Sequence, residues 1–321
     1  MTELEDIKRV TIIGAGTMGR GIATVFAGAG YPVRLYSLFA DELESALKEM
    51  RTTLAFLADN GLGPEEDVEA VMARVSTTQA MDEAVEGTQY VVECVLEDMA
   101  LKQEVFRQLD ELCSAEVVLA TNTSVMSPTE IGAEAVHRER ILGTHWWNPP
   151  FLIPLVEVVQ TRETASWAVE VTMALHRAIG KRPVHCKKDV PGFIANRLQH
   201  ALWREAISLV ERGIADPQTV DDSVKYGPGL RWPVLGPLEN ADMVGLDLTL
   251  SIHNYVLKYL EDSHEPSPLL KDKVEKGQLG FKGGGAGFYA WTPEAQQALR
   301  ARLLDYLVKA VKQHKLSLPA N

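Results

Sequence analysis

Near-continuous apolar runs recur along the first half of the chain: RVTIIGAG (9–16), PVRLYS (32–37), YVVECVLE (90–97), VVLATNTS (117–124), RILGTHWW (140–147), LVEVVQ (155–160) and PVHC (183–186). Unbroken apolar character of this length, rich in β-branched residues, is the pattern of strands covered on both faces. Helical periods lie between several of them, as at Leu101, Val105, Leu109 and Leu112. Strand followed by helix, repeated, predicts a mostly parallel α/β sheet.

From about Val190 the strands stop. Three long amphipathic stretches follow, PGFIANRLQHALWREAISLVERG (191–213), ENADMVGLDLTLSIHNYVLKYLED (239–262) and TPEAQQALRARLLDYLVKAVKQ (292–313), with the glycine-rich LGFKGGGAGFY as a loop. Pro191 suits a first helical turn and Gly213 a C-terminal cap. The reading is a doubly wound, Rossmann-type domain over residues 1–189 and an all-helical domain over 190–321.

Composition narrows the function classes. The 321 residues are 46% apolar and 24% charged, as in a globular chain large enough for two cores. A net charge of -12 argues against nucleic acid or an anionic membrane as partner. Three cysteines, Cys94, Cys113 and Cys186, without C-x-x-C spacing, suggest neither a disulfide framework nor a metal cluster. No apolar leader opens MTELEDIKRV and no run of eighteen apolar residues occurs, so the expectation is a cytoplasmic protein without a membrane span.

VTIIGAGTMGRGIA places Gly14, Gly16 and Gly19 in G-x-G-x-x-G spacing between a predicted strand and a predicted helix that Thr17 and Met18 open. The first glycine permits the tight turn, the second admits a pyrophosphate and the third lets helix and sheet pack closely. A dinucleotide is the expected cofactor. The acidic residue that ordinarily ends the second strand is Ser37 here. No Lys or Arg occurs from Leu38 to Leu47 to bind a 2'-phosphate, and Asp41, Glu42 and Glu44 would repel one, so NAD is expected, with NADP left open by the serine.

His145 and Glu157 lie in GTHWWNPPFLIPLVEVV, where a histidine and a glutamate would ordinarily be a satisfied core pair. Six ordered segments change that reading: GAGTMGRGIA, VVECVLEDMALKQEVF, TNTS, HWWNPPFLIPLVEVV, KDVPGFIANRL and GPLENADMVGLD. From about Lys8 to Tyr289 the chain resembles the L-3-hydroxyacyl-CoA dehydrogenase family. The resemblance implies that His145 is the general base and Glu157 the carboxylate that orients and stabilises it. Ser124 and Asn196 match hydrogen-bonding residues around the substrate oxygen. Glu97, Lys102 and Asn148 match positions on the nicotinamide-ribose side, with Asn122 grouped among the cofactor contacts and Lys282 a further one. A homodimer through the C-terminal domain is expected on the same ground.

Two departures from the acyl-CoA branch concern the substrate. Residues 41–74, where that branch holds the nucleotide end of CoA, carry nine acidic residues against Lys48, Arg51 and Arg74. Arg231, in YGPGLRWPVLGPLE, resembles the branch acting on free hydroxy acids, represented by L-gulonate 3-dehydrogenase and lambda-crystallin, and is the candidate clamp for a carboxylate. The expectation is reversible NAD-linked oxidation of the 3-hydroxyl of a small hydroxy acid to the keto acid. A 3-hydroxyacyl-CoA substrate is the nearest alternative, and a non-catalytic NAD(H)-binding protein the alternative of another class. The beta-hydroxyacid dehydrogenases share the glycine start but use a lysine, absent from PGFIANRLQHALWREAISLVERG.

Overall fold

A computed structural model describes residues 2–313. Eight strands form one sheet: β1 (Val10–Ile13), β2 (Val33–Tyr36), β3 (Val75–Thr78), β4 (Tyr90–Glu93), β5 (Val118–Thr121), β6 (Ile141–Trp146), β7 (Leu155–Gln160) and β8 (Arg182–Cys186). Their order is β3-β2-β1-β4-β5-β6-β7-β8, the doubly wound arrangement with its crossover beside β1. Alternation along each strand feeds two apolar layers. Val10 and Ile12 enter one with Ile22, Val25 and Phe26, while Ile13 enters the other with Val91, Phe106 and Leu109. The first layer includes helix α1 (Thr17–Gly28) and helix α2 (Ala40–Asp59), which bury Ile22 and Met50 there.

All pairings but one are parallel. The exception, β6 with β7, follows from chain length: eight residues separate Trp146 from Leu155, too few for the crossover that parallel neighbours require. Strand β3 has no counterpart among the apolar runs. It is an edge strand of sequence VSTT, half-exposed, and polar for that reason.

The chain parts into two compact units. One runs up to Asn196 and takes in residues 303–313; the other is Arg197–Arg302. Where the sequence suggests a helix from Pro191, the helix starts at Ala195 and ends at Glu211. Gly192 (φ 75°) and Phe193 (φ 51°) are left-handed, which breaks the helical path before it begins. Gly213 (φ 65°) closes that helix as a cap. The second amphipathic stretch divides at Gly245 (φ 103°) into Pro237–Val244 and Leu246–Val256.

The unit Arg197–Arg302 has little core of its own. Ser208, Val220 and Gly285 are its buried residues, whereas Trp232, Val234, Leu238, Leu248, Ile252 and Tyr255 are exposed. Among the described residues no helix is long and apolar enough to cross a membrane.

Candidate active site

His145 and Glu157 are register partners on β6 and β7. Directly opposed residues of an antiparallel pair share a face of the sheet, so the backbone pairing itself brings the side chains together. Nδ1 of His145 lies 2.7 Å from Oε2 of Glu157, with the carboxylate fully buried and the imidazole nearly so. The other carboxylate oxygen, Oε1, accepts hydrogen bonds from the backbone N–H groups of Ile194 and Ala195, each at 2.9 Å. Burial works against the carboxylate charge, but the hydrogen bonds from His145, Ala195 and Ile194 outweigh it and hold the carboxyl below its ordinary pKa.

The left-handed residues preceding the helix have a local reason. They turn the chain so that two successive N–H groups at the start of Ala195–Glu211 converge on Glu157. A non-glycine residue in this region is strained by about 1 kcal/mol or more. Phe193 is also 1% exposed, with its ring centroid 5.6 Å from that of His145. Trp147 contacts the same imidazole at 5.3 Å. With Nδ1–H donated to Glu157, Nε2 carries the lone pair, and among the described residues it has no hydrogen-bond partner.

Asn196 is brought into this neighbourhood: its Nδ2 donates to the backbone oxygen of Ser124 at 2.9 Å. The Ser124 backbone N–H donates to Glu97 Oε1 at 2.6 Å, and Thr123 Oγ1 donates to Glu97 Oε2 at 3.0 Å. Asn122 accepts from the backbone N–H of Trp146 at 3.0 Å, tying the end of β5 to the histidine strand. Lys102 is 1% exposed, its Nζ donating to Glu93 Oε1 at 2.7 Å and lying 3.6 Å from Glu97. Its charge is thus largely engaged by Glu93. Asn148 is exposed, next to the cis peptide to Pro149. Arg231 and Lys282 belong to the other unit, where both are exposed and neither has an ion pair among the described residues.

The glycine turn tests whether a dinucleotide fits. Gly14 (φ 104°) accepts no side chain, because a Cβ would lie 2.8 Å from the Cys94 carbonyl oxygen; on Gly19 it would lie 1.8 Å from that of Gly14. At Gly16, by contrast, the nearest atom to an added Cβ is Glu42 Oε1 at 3.8 Å. The turn is closed against the sheet and open above Gly16, at the N-terminus of α1, as pyrophosphate binding requires. Thr17 and Met18 form the first turn beside it.

Two groups carry no signal in the sequence pattern, buried Lys181 and half-buried Asp189. Lys181 donates to the carbonyls of Pro150 and Ile153 (3.0 Å for the latter), tying down the connection after His145, and burial lowers its pKa to about 7. Asp189 accepts from Ser127 Oγ and, at 2.9 Å, from the Thr129 backbone.

A turn fitted to a dinucleotide at the carboxyl end of β1 defines a dinucleotide-binding protein of the doubly wound class. The comparisons make this particular: the model for the NAD-binding domain of 3-hydroxyacyl-CoA dehydrogenase matches residues 9–190, and that for its C-terminal domain residues 192–291. The chain belongs to the 3-hydroxyacyl-CoA dehydrogenase family. It is an NAD-dependent oxidoreductase acting on CH–OH groups. It is 36% identical over 302 residues to 5-formyl-3-hydroxy-2-methylpyridine 4-carboxylate 5-dehydrogenase of Mesorhizobium japonicum, covering 94% of this chain and 96% of that one. Identity to the probable 3-hydroxybutyryl-CoA dehydrogenase of Bacillus subtilis is 39% over 285 residues, 88% and 97% of the two chains. A crystal structure of a 5-formyl-3-hydroxy-2-methylpyridine 4-carboxylic acid 5-dehydrogenase, described as an NAD+-dependent dismutase, superposes with a TM-score of 0.88 at 35% identity, covering 97% of this chain and 98% of that one.

Proposed function

We propose that the chain reversibly oxidises the 3-hydroxyl of a small free hydroxy acid, with His145 as general base. The observation that carries the chemistry is the His145–Glu157 hydrogen bond, made inside the sheet with Nε2 left over. Nε2 accepts the hydroxyl proton as the carbinol C–H bond breaks, and the substrate becomes the ketone. Glu157, held ionised by two N–H groups, fixes the Nδ1–H tautomer and stabilises the imidazolium that forms. NAD, when bound, supplies the hydride acceptor. Ser124 and Asn196 orient the substrate oxygen in this reading, and Glu97, Lys102, Asn122, Asn148 and Lys282 serve the cofactor.

Two features favour a free acid over a CoA thioester. In the acidic stretch 41–74, Arg51 is paired with Glu69 and Arg74 with Glu66, so Lys48 alone of its three cations lacks an ion pair among the described residues. That is a poor cradle for a phosphorylated adenosine. The second is the extent of the likeness to an enzyme named for a pyridine carboxylate. Arg231 then takes the substrate carboxylate through two parallel hydrogen bonds. The thioester reading draws on the 39% identity to a probable 3-hydroxybutyryl-CoA dehydrogenase.

The exposed apolar residues of Arg197–Arg302 support a homodimer through this unit. Three free thiols fit a cytoplasmic setting. Turnover of free 3-hydroxy acids against their CoA thioesters, followed by reduced-nicotinamide absorbance, tests the substrate. We expect the free acids to give the larger kcat/KM; a preference for thioesters overturns the free-acid reading.

A further inference from the structure

Strand β2 ends at Tyr36, and the position after it, where a carboxylate ordinarily meets the adenosine ribose, is the hydroxyl of Ser37. That hydroxyl is occupied. Ser37 is buried and its Oγ–H donates to Oε2 of Glu42, while Oγ accepts the backbone N–H of Phe39 at 3.2 Å. Glu42 lies in the first turn of α2, five residues further along the chain. Its second oxygen, Oε1, is the one atom within 4 Å of a Cβ built on Gly16. The carboxylate therefore bounds the open space above the second glycine of the turn.

We infer that Glu42 is the ribose-recognising carboxylate of this chain and the determinant of its preference for NAD over NADP. The serine and the glutamate together do what one acidic residue usually does at the strand end. Ser37 is short enough to let the longer glutamate side chain fold back over the strand end, and its hydroxyl fixes which carboxylate oxygen is left over. A carboxylate there accepts hydrogen bonds from ribose hydroxyls, and its charge opposes a 2'-phosphate. The Leu38–Leu47 segment offers no Lys or Arg to reverse that preference. A glutamate merely favouring the N-terminus of α2 would need neither the Ser37 bond nor proximity to Gly16.

The test is dinucleotide binding by the full chain, read by quenching of protein fluorescence with NADH and NADPH as probes, so the outcome does not depend on which substrate is turned over. Native protein should bind NADH far more tightly than NADPH. Glu42→Gln keeps the size and the hydrogen bond to Ser37, and should weaken NADH about tenfold or more while narrowing the NADH to NADPH ratio. Unchanged far-ultraviolet circular dichroism and melting temperature establish that this variant is folded. Adding Ser37→Asp to Glu42→Gln, which restores an acid at the strand end, should recover most of the lost NADH affinity. A folded Glu42→Gln chain that binds NADH as tightly as native protein overturns the assignment, as does native protein that binds NADPH equally well.

Discussion

His145 and Glu157 stand opposite one another on the antiparallel pair β6 and β7, Nδ1 to Oε2 at 2.7 Å, while the far oxygen of the same carboxylate is held by the N–H groups of Ile194 and Ala195. The imidazole is thus oriented from two directions at once. The sheet register sets where the histidine and glutamate meet, and the helix start fixes how the carboxylate is turned. Replacing either member has a distinguishable outcome.

For His145→Ala, kcat should fall by about two orders of magnitude or more, with NADH affinity within a factor of about three of native, since the proposed role of this residue is toward the substrate proton. Steady-state kinetics with a fluorescence titration of NADH checks both numbers. Unchanged turnover would remove His145 as the base.

Glu157→Gln is the sharper substitution. Its amide oxygen can still accept from Ile194 and Ala195, which leaves the amide NH2 facing Nδ1. Nδ1 must then accept, the proton moves to Nε2, and that nitrogen loses the lone pair the proposed proton transfer needs. A loss of about three orders of magnitude in kcat is expected with little change in KM, by analogy with an amide in place of the acid of a catalytic triad. A kcat within tenfold of native would mean that the carboxylate orients nothing of consequence.

Gly19→Ala should be among the most damaging single-methyl changes in the chain, because the new carbon would meet the Gly14 carbonyl at 1.8 Å. Backbone at the turn has to move, and NADH affinity should fall by more than about tenfold alongside a lower melting temperature. Gly16→Ala, whose Cβ has open space apart from Glu42, should melt like native protein. Equal melting temperatures for Gly19→Ala and native protein would contradict the packing described.

The acid limb of stability should carry the signature of His176. This ring is fully buried against Phe26, Tyr90 and Trp146, donates Nδ1–H to the Thr172 carbonyl at 2.7 Å, and has no partner at Nε2. Burial lowers its pKa from 6.5 to about 4. As pH falls below 6.5 the unfolded chain takes up a proton that the native chain refuses until about 4, so stability is lost across that window, by about 3 kcal/mol. Urea midpoints measured from pH 7 to 4 should drop more steeply for native protein than for His176→Leu. Parallel curves would refute the assignment.

Assembly should be obligatory for the second unit. Its exposed Leu248 and Ile252 lie one helical turn apart on Leu246–Val256. We expect sedimentation equilibrium at micromolar concentration to give twice the mass of one chain, and Leu248→Asp with Ile252→Asp to give monomers with a lower melting temperature. A native monomer over that range would exclude the dimer.

Much of this was legible in the sequence. Buried strands announce themselves as apolar runs, and the glycine spacing is a steric requirement that few other residues can meet. What stayed hidden depends on groups without a side-chain signature. Strand β3 is polar because it is an edge. The N–H groups that hold Glu157 belong to Ile194 and Ala195, whose identities say nothing about their backbone direction. Glu42 was visible only as one more acidic residue in a charged stretch, since its bond to Ser37 exists only after α2 has docked.

Because opposed positions on neighbouring strands share a face only in the correct frame, the eight residues between Trp146 and Leu155 and the strands that flank them tolerate change very differently. Insertions within the connection leave the frame of the pair intact but displace Trp147 and the carbonyls of Pro150 and Ile153 that Lys181 holds, so they act on the surroundings of the histidine and not on the pairing. A single residue inserted within either strand, by contrast, would send the histidine and its acid to opposite sides of the sheet and cost stability as well, because both strands are buried.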